Sequence, residues 1–449
     1  MVQKIALLVL GDALIAVAAV YIAFWVGSFN TMPQLLSLCL FVSFALFPSY
    51  FLELYNQNRV FKIDVKETAA QILLSIALSF LALSSASFML PILDIGRRSL
   101  IWFLISFGVC QLAWHCLFKY MVRSGGLAQK VLVLGTGDLA RKMEQIMFLN
   151  RTHYAFSGYY DMSLNGSSGP IKSDAEEASE HLSIFTKKNK IDKLVVALAE
   201  RRGIFPLQDL LSCKFDGIEI VDAPSFYEEV MGKMLIENIT PGWFIFADGF
   251  KLNRSVKLIK RAIDIVLASS GLLLSFPLFP LIAVLVKIDS SGPVFYRQMR
   301  VGEGGKNFWL IKFRTMRQDA ESNTGAVWAQ KNDSRITKVG SILRKTRLDE
   351  LPQFFNVLTG EMSFIGPRPE RPEFVEKLTK IIPYYANRHF VKPGITGWAQ
   401  TQYRYGASRE DSLEKLRYDL YYIKNLNLLL DMAILLDTIK VVLFGKGAR

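Results

Sequence analysis

Four apolar segments, each close to the length that crosses a lipid bilayer, fill the first part of this chain. They cover about residues 5–27, 33–54, 68–91 and 99–118, and a membrane-spanning helix needs ~20 predominantly apolar residues. A backbone in lipid must satisfy its own polar groups, so an apolar segment of this length folds as a helix. The sequence therefore predicts a membrane protein with an N-terminal four-helix transmembrane bundle over residues 1–122.

Basic residues in the connections predict how these helices cross the membrane. The connection at 28–32 has no Lys or Arg, whereas the one at 55–67 has three, and basic residues also follow the fourth segment. Two arginines in the 92–98 connection oppose this trend. Since cytoplasmic loops carry the excess of Lys and Arg, both termini are expected on the cytoplasmic side. Asp12, inside the first segment, predicts a polar contact between helices rather than an ion path.

The chain is strongly basic, with a formal net charge of +13 and a hydrophobic content of 51%. This charge fits an anionic partner, and the apolar segments favour a membrane surface or a phosphorylated substrate. No signature of a nucleic-acid-binding module occurs, so no nucleic-acid partner is expected. The cysteines at 39, 110, 116 and 213 form neither a CxxC nor a Cys/His pattern. We therefore expect neither a disulfide framework nor a zinc site.

Residues 123–250 have the alternating pattern of an α/β domain. Strand-like runs occur at 131–134, 154–160, 193–198 and 218–221, with helical patterns between them. Such alternation is typical of a parallel, doubly wound sheet. We predict a Rossmann-like, nucleotide-binding-type domain in the middle of the chain.

A glycine-rich turn follows the first of these strands. Gly135, Gly137 and Ala140 have a G-x-G-x-x-A spacing that resembles the dinucleotide fingerprint, whose glycines let backbone amides approach a phosphate at a helix N-terminus. Asp161 falls near the position of a ribose-binding acid. Two interpretations stay open: a nucleotide site that includes Gly135, Gly137 and Asp161, or a domain that has the turn without the ligand.

A fifth apolar stretch, residues 265–286, contains no charged residue, yet it does not fit a simple crossing. Basic residues flank it on both sides, and Pro277 and Pro280 lie in its middle, where proline breaks the helical hydrogen-bond ladder. A helix that enters the membrane, bends at Pro277 and leaves by the same face satisfies both flanks. We predict a re-entrant helix over about 262–287 in an α+β monotopic domain that spans 251–449.

Two further segments are predicted to lie at a membrane surface. Basic residues before the fifth stretch have three- and four-residue spacing, which places most of them along one side of a helix suited to an anionic surface; they are Lys251, Arg254, Lys257, Lys260 and Arg261. The final apolar segment, about 426–444, carries Asp431, Asp437 and Lys440. Their spacing on one helix face predicts that this segment lies in the interface rather than spanning it.

An acidic pair, Asp349-Glu350, lies among basic residues in the polar region between these segments. Carboxylates beside arginines suit metal-assisted phosphoryl chemistry, and a solvated charge cluster at a helix start is the alternative. The pair is predicted to begin a helix, where adjacent side chains diverge by about 100° and so have different roles. Asp349 is the candidate nucleophile. Glu350, with Asp349, is the candidate ligand of Mg²⁺, which takes few carboxylates plus substrate phosphates.

Cationic side chains on either side of the pair are candidates for binding phosphate. Lys312 and Arg314 sit two apart in a strand-like run and so project from one face, although a strand edge protected by charge is the alternative. Arg368 lies between two prolines, in a loop stiff enough to present its guanidinium at low ordering cost.

Several motifs from residue 255 onward together resemble the bacterial sugar transferase family, the polyprenyl-phosphate hexose-1-phosphate transferases. The motifs are Gly292-Pro293-Val294-Phe295-Tyr296-Arg297-Gln298, Lys312-Phe313-Arg314-Thr315-Met316, Leu348-Asp349-Glu350-Leu351-Pro352-Gln353, Asn356-Val357-Leu358, Gly366-Pro367-Arg368-Pro369 and Lys392-Pro393-Gly394-Ile395-Thr396-Gly397-Trp398-Ala399-Gln400. With the four apolar segments and the middle domain, the whole chain is similar to the large membrane-bound form of the family. Its tail at 418–425 is similar to members associated with exopolysaccharide gene clusters and exosortase systems.

The resemblance implies transfer of a sugar 1-phosphate from a UDP-sugar to undecaprenyl phosphate, with release of UMP, as the initiating step of exopolysaccharide synthesis. It implies Mg²⁺ as the cofactor, a covalent intermediate on Asp349 and a metal-associated role for Glu350. The residues that it assigns to phosphate or substrate binding are Lys312, Arg344, Arg368 and Gln400. In one detail the chain departs from the family pattern: Phe276 separates Ser275 from the helix-breaking Pro277, where the family has a serine next to the proline.

The resemblance also implies a place in the cell and partners. It implies a multi-pass protein of the bacterial inner membrane with a cytosolic catalytic domain, in contact with membrane lipid, and it leaves a homodimer open. A nucleotide-sugar oxidoreductase would need a Tyr-x-x-x-Lys pair, and a processive glycosyltransferase would need Asp-x-Asp and Gln-x-x-Arg-Trp; the chain has none of these. A non-catalytic membrane scaffold for polysaccharide assembly stays open as the alternative.

Overall fold

The structure, a computed structural model, describes most of the chain. The residues described are 2–26, 35–52, 54–55, 65–89, 97–123, 128–150, 153–161, 166–168, 182–198, 206–239, 241–251, 253–318, 320, 333–403, 406 and 408–444. Contacts divide the chain into two compact units, Met1–Phe226 and Tyr227–Arg449. The three-part division with boundaries at 122/123 and 250/251 stays a prediction.

The first unit begins with apolar helices. They are α1 (Val2–Val26), α2 (Leu35–Phe51), α3 (Val65–Met89) and α4 (Arg97–Arg123). Helices α1, α3 and α4 are long and apolar enough to cross a membrane, whereas α2 is a shorter apolar helix of 17 residues with Pro48 inside it. Three of the predicted segments are thus confirmed as helices of spanning length. The complete four-helix bundle stays a prediction, and the connections at 28–32 and 92–96 lie outside the described residues.

Asp12 makes the predicted polar contact between helices. Its Oδ2 accepts hydrogen bonds from the Tyr55 hydroxyl (2.6 Å) and the Gln111 side-chain amide (2.8 Å), and it lies 3.0 Å from His115 Nε2. Asp12, Gln111 and His115 are buried. Because a buried polar group is stable only when it is hydrogen-bonded, this cluster joins α1 to α4 and to the residues that follow α2.

The rest of the first unit contains the predicted α/β sheet. Its strands are β1 (Gln129–Leu134), β2 (Tyr154–Asp161), β3 (Gly166–Ser168), β4 (Lys193–Val196) and β5 (Glu219–Asp222), in the order β3-β2-β1-β4-β5. Its helices are α5 (Asp138–Leu149), α6 (Leu182–Lys188) and α7 (Leu207–Phe215), and α8 (Ala223–Met231) runs across the division between the two units. The pairs β1–β2, β1–β4 and β4–β5 are parallel, as predicted, and β3 pairs antiparallel with β2 at the edge. The inner strands are buried, which explains their continuous apolar sequence.

The second unit is a mixed α+β structure. Its helices are α9 (Pro241–Phe246), α10 (Arg254–Ser275), α11 (Leu278–Asp289), α12 (Lys338–Thr346), α13 (Gln353–Thr359), α14 (Pro372–Ile381), α15 (Trp398–Gln402), α16 (Arg409–Lys424) and α17 (Leu428–Phe444), with short 3₁₀ helices at Ile236–Asn238, Glu303–Gly305, Leu348–Glu350 and Tyr385–Phe390. Its strands are β6 (Phe295–Val301) and β7 (Asn307–Phe313), an antiparallel pair, and β8 (Ser363–Ile365) and β9 (Gly394–Thr396), a parallel pair. Helices α10 and α11 pack into its core through Ala268 and through Ile282 and Val286.

The predicted bend in the fifth apolar stretch is present. Helices α10 and α11 are bent by 64° at the break that contains Pro277. Proline has no N–H to donate and its ring crowds the preceding turn, so a regular helix cannot continue through this position. Around the break, Leu273, Leu274 and Phe276 are 77%, 80% and 73% exposed. An apolar tip between two helices that return to the same unit is consistent with a re-entrant membrane helix.

Two of the basic residues in α10 contact other elements of the second unit. Arg261 donates hydrogen bonds to the carbonyls of Val357 (2.6 Å) and Leu358 (2.8 Å), and Lys260 Nζ lies 2.7 Å from Asp431 Oδ2. The predicted membrane-facing role is therefore wrong for Lys260 and Arg261. Asp431 is buried, and the location of the segment at 426–444 in the interface stays a prediction. The physical reason is that unpaired carbonyls near a helix end and a buried carboxylate both need donors.

Glycines of two sequence motifs bring backbone against backbone beside β8 and β9. A Cβ on Gly394 would lie 2.1 Å from Gly366 N, and a Cβ on Gly397 would lie 2.1 Å from Gly366 O. These distances leave no room for any side chain. The close approach holds the loop that begins at Gly366 against β9.

Replacing Gly394 with Ala is expected to destabilise the protein by ~1–3 kcal/mol, the usual cost of forcing a methyl group into a packed interior. The measurement is thermal unfolding of the full chain in detergent. Gly137→Ala is the matched control, because no atom lies within 4 Å of its Cβ position. Equal midpoints for the two variants would contradict the packing described here.

Candidate active site

A left-handed residue sets the direction in which the acidic pair is presented. Helix α12 ends at Thr346 and is followed by Arg347, whose φ of 60° and ψ of 13° reverse the chain into the 3₁₀ turn Leu348–Glu350. Helix α13 begins only at Gln353, after Pro352. The acidic pair thus lies just before the helix that was predicted to start at the pair itself, because Pro352 takes the position at the helix start where a missing N–H costs nothing.

Asp349 is a buried carboxylate without a hydrogen-bond donor among the described residues. Its residue surface is 8% exposed. Burial and the adjacent Glu350 raise the pKa of Asp349 to about 6, against the opposing effect of Lys312 and Arg344. An ionised, undersolvated carboxylate next to cations is a suitable nucleophile for a phosphorus atom.

Glu350 has a different environment, as expected from its adjacent position in the chain. Its Oε1 accepts a hydrogen bond from Arg368 Nη2 (2.7 Å), and its Oε2 lies 3.7 Å from Arg347 Nη1. Burial alone would raise the pKa of Glu350, but Arg368 and Arg347 outweigh it and hold the pKa below its usual value. Glu350 therefore stays ionised and anchors the side chain of Arg368.

Lys312 supplies the nearby ammonium group. It lies on β7 directly opposite Tyr296 of β6, with Nζ 5.2 Å from the centre of the Tyr296 ring. Burial, Arg300 and Arg344 lower the pKa of Lys312 to about 8, while Asp349 acts in the other direction. Lys312 and Asp349 are thus close enough to shift each other's pKa. Neither side chain makes a hydrogen bond to another described residue.

Arg344 and Arg368 complete the set of predicted cations around the pair. Arg344, in the last turn of α12, donates from Nε to Thr315 Oγ1 (2.9 Å). The Arg368 side chain is 42% exposed while it holds Glu350. Its guanidinium is therefore both fixed by a carboxylate and open to a ligand, the arrangement that suits bidentate phosphate binding.

The other predicted site residues lie in different surroundings. Arg314, just past the end of β7, donates from Nη2 to the carbonyl of Ser290 (2.7 Å), so it holds the turn after α11. Gln400, in α15, donates from Nε2 to the carbonyl of Ile395 (3.1 Å). Neither side chain contacts the acidic pair. Alternation along a strand and membership in a sequence motif do not determine which group a side chain contacts in the folded protein.

The predicted nucleotide-site residues of the middle domain belong to the first unit. Gly135 follows β1 with φ +111°, and a Cβ there would lie 3.0 Å from Ala197 O, so the fold alone requires glycine at this position. Gly137 precedes α5, with open space around it. The side chain of Asp161 lies outside the described residues. A nucleotide site here stays a prediction.

Sequence reasoning missed two arginines that support the site. Arg300 of β6 donates from Nη1 to the Pro369 carbonyl (3.0 Å) and lies 3.6 Å from Glu370. Arg388 is buried and donates from Nη2 to the Arg368 carbonyl (3.0 Å) and to Asp419 (2.8 Å). The only signal for Arg300 was its alternation with Tyr296 on one strand face, and Arg388 had none.

The acidic pair suits Mg²⁺ as part of a ligand set that substrate phosphates complete. Among the described residues no group of three or more His, Cys, Asp or Glu side chains forms a metal cage. Mg²⁺ commonly binds through one or two carboxylates plus substrate phosphates. Asp349, which lacks a donor and whose pKa is raised by its acidic neighbour, together with Glu350 provides such a donor set.

Comparisons with known proteins agree with the motifs. The family model described as bacterial sugar transferase matches residues 255–445. Over 372 residues the chain is 34% identical to the UDP-glucose:undecaprenyl-phosphate glucose-1-phosphate transferase of Xanthomonas campestris pv. campestris, covering 78% of this chain and 74% of that relative.

Two further relatives match a shorter part of the chain. Over 191 residues it is 50% identical to the UDP-N-acetylgalactosamine-undecaprenyl-phosphate N-acetylgalactosaminephosphotransferase of Aeromonas hydrophila, covering 42% of this chain and 45% of that relative. Over 196 residues it is 40% identical to the exopolysaccharide production protein PSS of Rhizobium leguminosarum bv. phaseoli, covering 42% of this chain and 98% of that relative. The match thus spans less than half of the Aeromonas protein.

Apolar helices of spanning length and an α+β unit that carries an acidic pair among cations define a membrane-associated protein with a candidate phosphoryl-transfer site. The 34% identity to the Xanthomonas transferase over most of both chains identifies the family. The chain belongs to the bacterial sugar transferase family.

Proposed function

We propose that this protein transfers a sugar 1-phosphate from a UDP-sugar to undecaprenyl phosphate and releases UMP. The observation that carries the proposal is the buried Asp349 carboxylate, which has no donor among the described residues and lies among Lys312, Arg344 and Arg368. The Xanthomonas and Aeromonas relatives are named for this type of reaction. The name of the Rhizobium relative, an exopolysaccharide production protein, supports a role in exopolysaccharide synthesis, and we propose the initiating step.

The reaction proceeds in two displacements at one phosphorus atom. A carboxylate oxygen of Asp349 attacks the β-phosphorus of the UDP-sugar, and the bond from that phosphorus to the bridging oxygen of the α-phosphate breaks. UMP leaves with the electron pair of that bond. A phosphate oxygen of undecaprenyl phosphate then attacks the same phosphorus, and the bond to Asp349 breaks, which restores the free carboxylate.

The surrounding residues act on charge and position. Lys312 and Arg368 stabilise the negative charge that develops on the phosphate oxygens, an effect that is strong in a partly desolvated site. Glu350 keeps the Arg368 guanidinium in place through its 2.7 Å hydrogen bond. Mg²⁺, when held by Glu350 and Asp349, supplies Lewis-acid neutralisation of the diphosphate.

The site is proposed to lie on the cytosolic side of the bacterial inner membrane. The bent pair α10–α11 packs on the same unit as the acidic pair, and its exposed apolar tip suits insertion into one leaflet. A polyprenyl phosphate has its phosphate at the lipid surface and its tail in hydrocarbon. A shallow, bent anchor therefore brings the cations to the depth of the acceptor phosphate.

The test is to incubate the purified full chain with undecaprenyl phosphate and a panel of UDP-sugars, and to measure UMP release with and without Mg²⁺. The expected result is release that depends on the lipid acceptor and on one or a few of the sugars. Absence of release with every sugar, with the chain shown to be folded, would contradict the proposal and favour a non-catalytic scaffold.

The rate of UMP release is expected to have a bell-shaped pH dependence. Asp349 attacks only when ionised, and its pKa is raised to about 6, so activity falls as the pH drops through that value. Lys312 acts as a cation and its pKa is lowered to about 8, so activity also falls as the pH rises through that value. The measurement is kcat/KM against pH for the wild type and for Lys312→Arg.

The arginine variant is the control for the alkaline limb. Since a guanidinium does not lose its proton in this range, the alkaline limb should disappear in Lys312→Arg while the acid limb stays. An unchanged alkaline limb in the variant would show that Lys312 is not the group that titrates.

A further inference from the structure

A concave surface lies in the same unit as the acidic pair. It is a cavity of about 520 Å³ whose lining includes the β6–β7 turn, helix α14 and the 3₁₀ helix Tyr385–Phe390. We call it the turn pocket. The lining residues that matter here are Gly304, Gly305, Val375, Glu376, His389 and Phe390.

The turn pocket contains one buried polar atom that has no partner. His389 is 9% exposed, and its Nε2 has no hydrogen bond among the described residues. Burial and Arg388 lower the pKa of His389 to about 4, so the imidazole is neutral at physiological pH. A neutral imidazole nitrogen can donate or accept, and a buried polar atom without a partner is costly unless a ligand or water satisfies it.

The remaining lining suits a flat, uncharged group. Phe390 is 64% exposed, which leaves its ring available for stacking. Gly304 and Gly305 have φ values of +64° and +77°, and no atom lies within 4 Å of either Cβ position, so a ligand can approach the backbone closely. Glu376 is ion-paired with Lys380 (2.7 Å), so the described lining has no unpaired cation that would attract a phosphate. A hexose would need partners for several hydroxyls, and the pocket offers few polar side chains.

Residues next to the turn pocket contact the loop that carries Arg368, one of the phosphate-binding cations. Arg388, next to His389, donates to the carbonyl of Arg368, and Arg300, next to the β6 end of the pocket, donates to the carbonyl of Pro369. The loop from Arg368 to α14 therefore has the acidic pair at one end and the pocket at the other. An extended ligand with charge at one end and an aromatic group at the other fits this arrangement.

We propose that the turn pocket receives the base of the sugar nucleotide, stacked on Phe390 and hydrogen-bonded to His389 Nε2, while its diphosphate lies at Lys312 and Arg368. The proposal rests on the proposed function, because it assumes a nucleotide donor. It adds the place in the structure where the base of the donor is recognised.

The experiment measures binding directly, so that it does not depend on turnover. UMP and ribose 5-phosphate, which lacks the base, are titrated by calorimetry into the full chain, wild type and Phe390→Ala. We expect wild type to prefer UMP, and Phe390→Ala to bind UMP about tenfold more weakly, the usual loss when a stacking aromatic is removed. Ribose 5-phosphate binding should be unchanged.

Matched variants separate a local effect from a general one. Phe390→Trp keeps a stacking surface and should retain UMP binding, and Phe215→Ala removes another exposed phenylalanine, 87% exposed, outside the pocket. Unchanged UMP affinity in Phe390→Ala would overturn the proposal. So would a selective rise in KM for undecaprenyl phosphate, which would assign the apolar lining to the lipid. UMP binding that depends on Phe390 in a chain without UMP release would support the pocket and contradict the proposed reaction.

Discussion

Asp349→Asn is expected to lower UMP release by roughly 10³-fold or more, because loss of the nucleophile removes the covalent route altogether. Asparagine has nearly the same shape, so the 3₁₀ turn that holds it should persist. It also removes the group whose charge is opposed by burial, so stability should not fall. The measurement is the initial rate of UMP release with saturating undecaprenyl phosphate and UDP-sugar.

A second readout tests the intermediate itself. With radiolabelled UDP-sugar and no lipid acceptor, the wild type should retain label on the protein after denaturation, and Asp349→Asn should not. Glu373→Gln is the matched control, since Glu373 is a carboxylate with a side chain 54% exposed in the first turn of α14. Turnover by Asp349→Asn at a rate near that of the control would exclude Asp349 as the nucleophile.

Arg368→Ala is expected to lower kcat/KM by roughly 10²–10³-fold, the usual loss when one charge-stabilising donor is removed from an active site. Two effects act together here. The phosphate loses a half-exposed guanidinium, and Glu350 loses its 2.7 Å hydrogen bond. Since Arg368 is the strongest influence that lowers the pKa of Glu350, its removal should raise that pKa and weaken Glu350 as an ionised ligand.

Arg368→Lys distinguishes charge from geometry. An ammonium keeps the charge but cannot hold Glu350 and a phosphate with one planar fork, so we expect it to recover only a small part of the activity. Lys187→Ala is the control for loss of a positive charge, because that side chain is 63% exposed on α6 of the first unit. Full activity in Arg368→Lys would show that a point charge is sufficient, and full activity in Arg368→Ala would remove Arg368 from the site.

Several parts of the fold were predictable because their signal is local. The bend at Pro277 follows from a missing N–H within one apolar stretch, and the parallel sheet follows from buried apolar runs that alternate with helical patterns. The contact made by Asp12 follows from the cost of an isolated carboxylate among apolar helices, although its partners Tyr55 and Gln111 were not predicted.

Helix α10, which was predicted to face the membrane, shows where reasoning from local sequence failed. The spacing of Lys260 and Arg261 placed them on a basic surface, yet both contact elements that come about a hundred residues or more later in the chain. Periodicity identifies a helix face, and it does not identify what packs against that face. The same limit explains Arg314, whose predicted face was reasonable while its actual partner is the carbonyl of Ser290.

The sequence by itself determined that this chain has apolar helices of spanning length, a bent apolar stretch and an acidic pair among cations. Each of these features depends only on residues that are close together in the chain. Only the tertiary structure decided which cations surround Asp349. That choice depends on the register that sets Lys312 opposite Tyr296, on the left-handed turn at Arg347, and on Arg388 reaching the Arg368 carbonyl. Contacts between distant segments form only when the whole unit packs, and no local pattern records them.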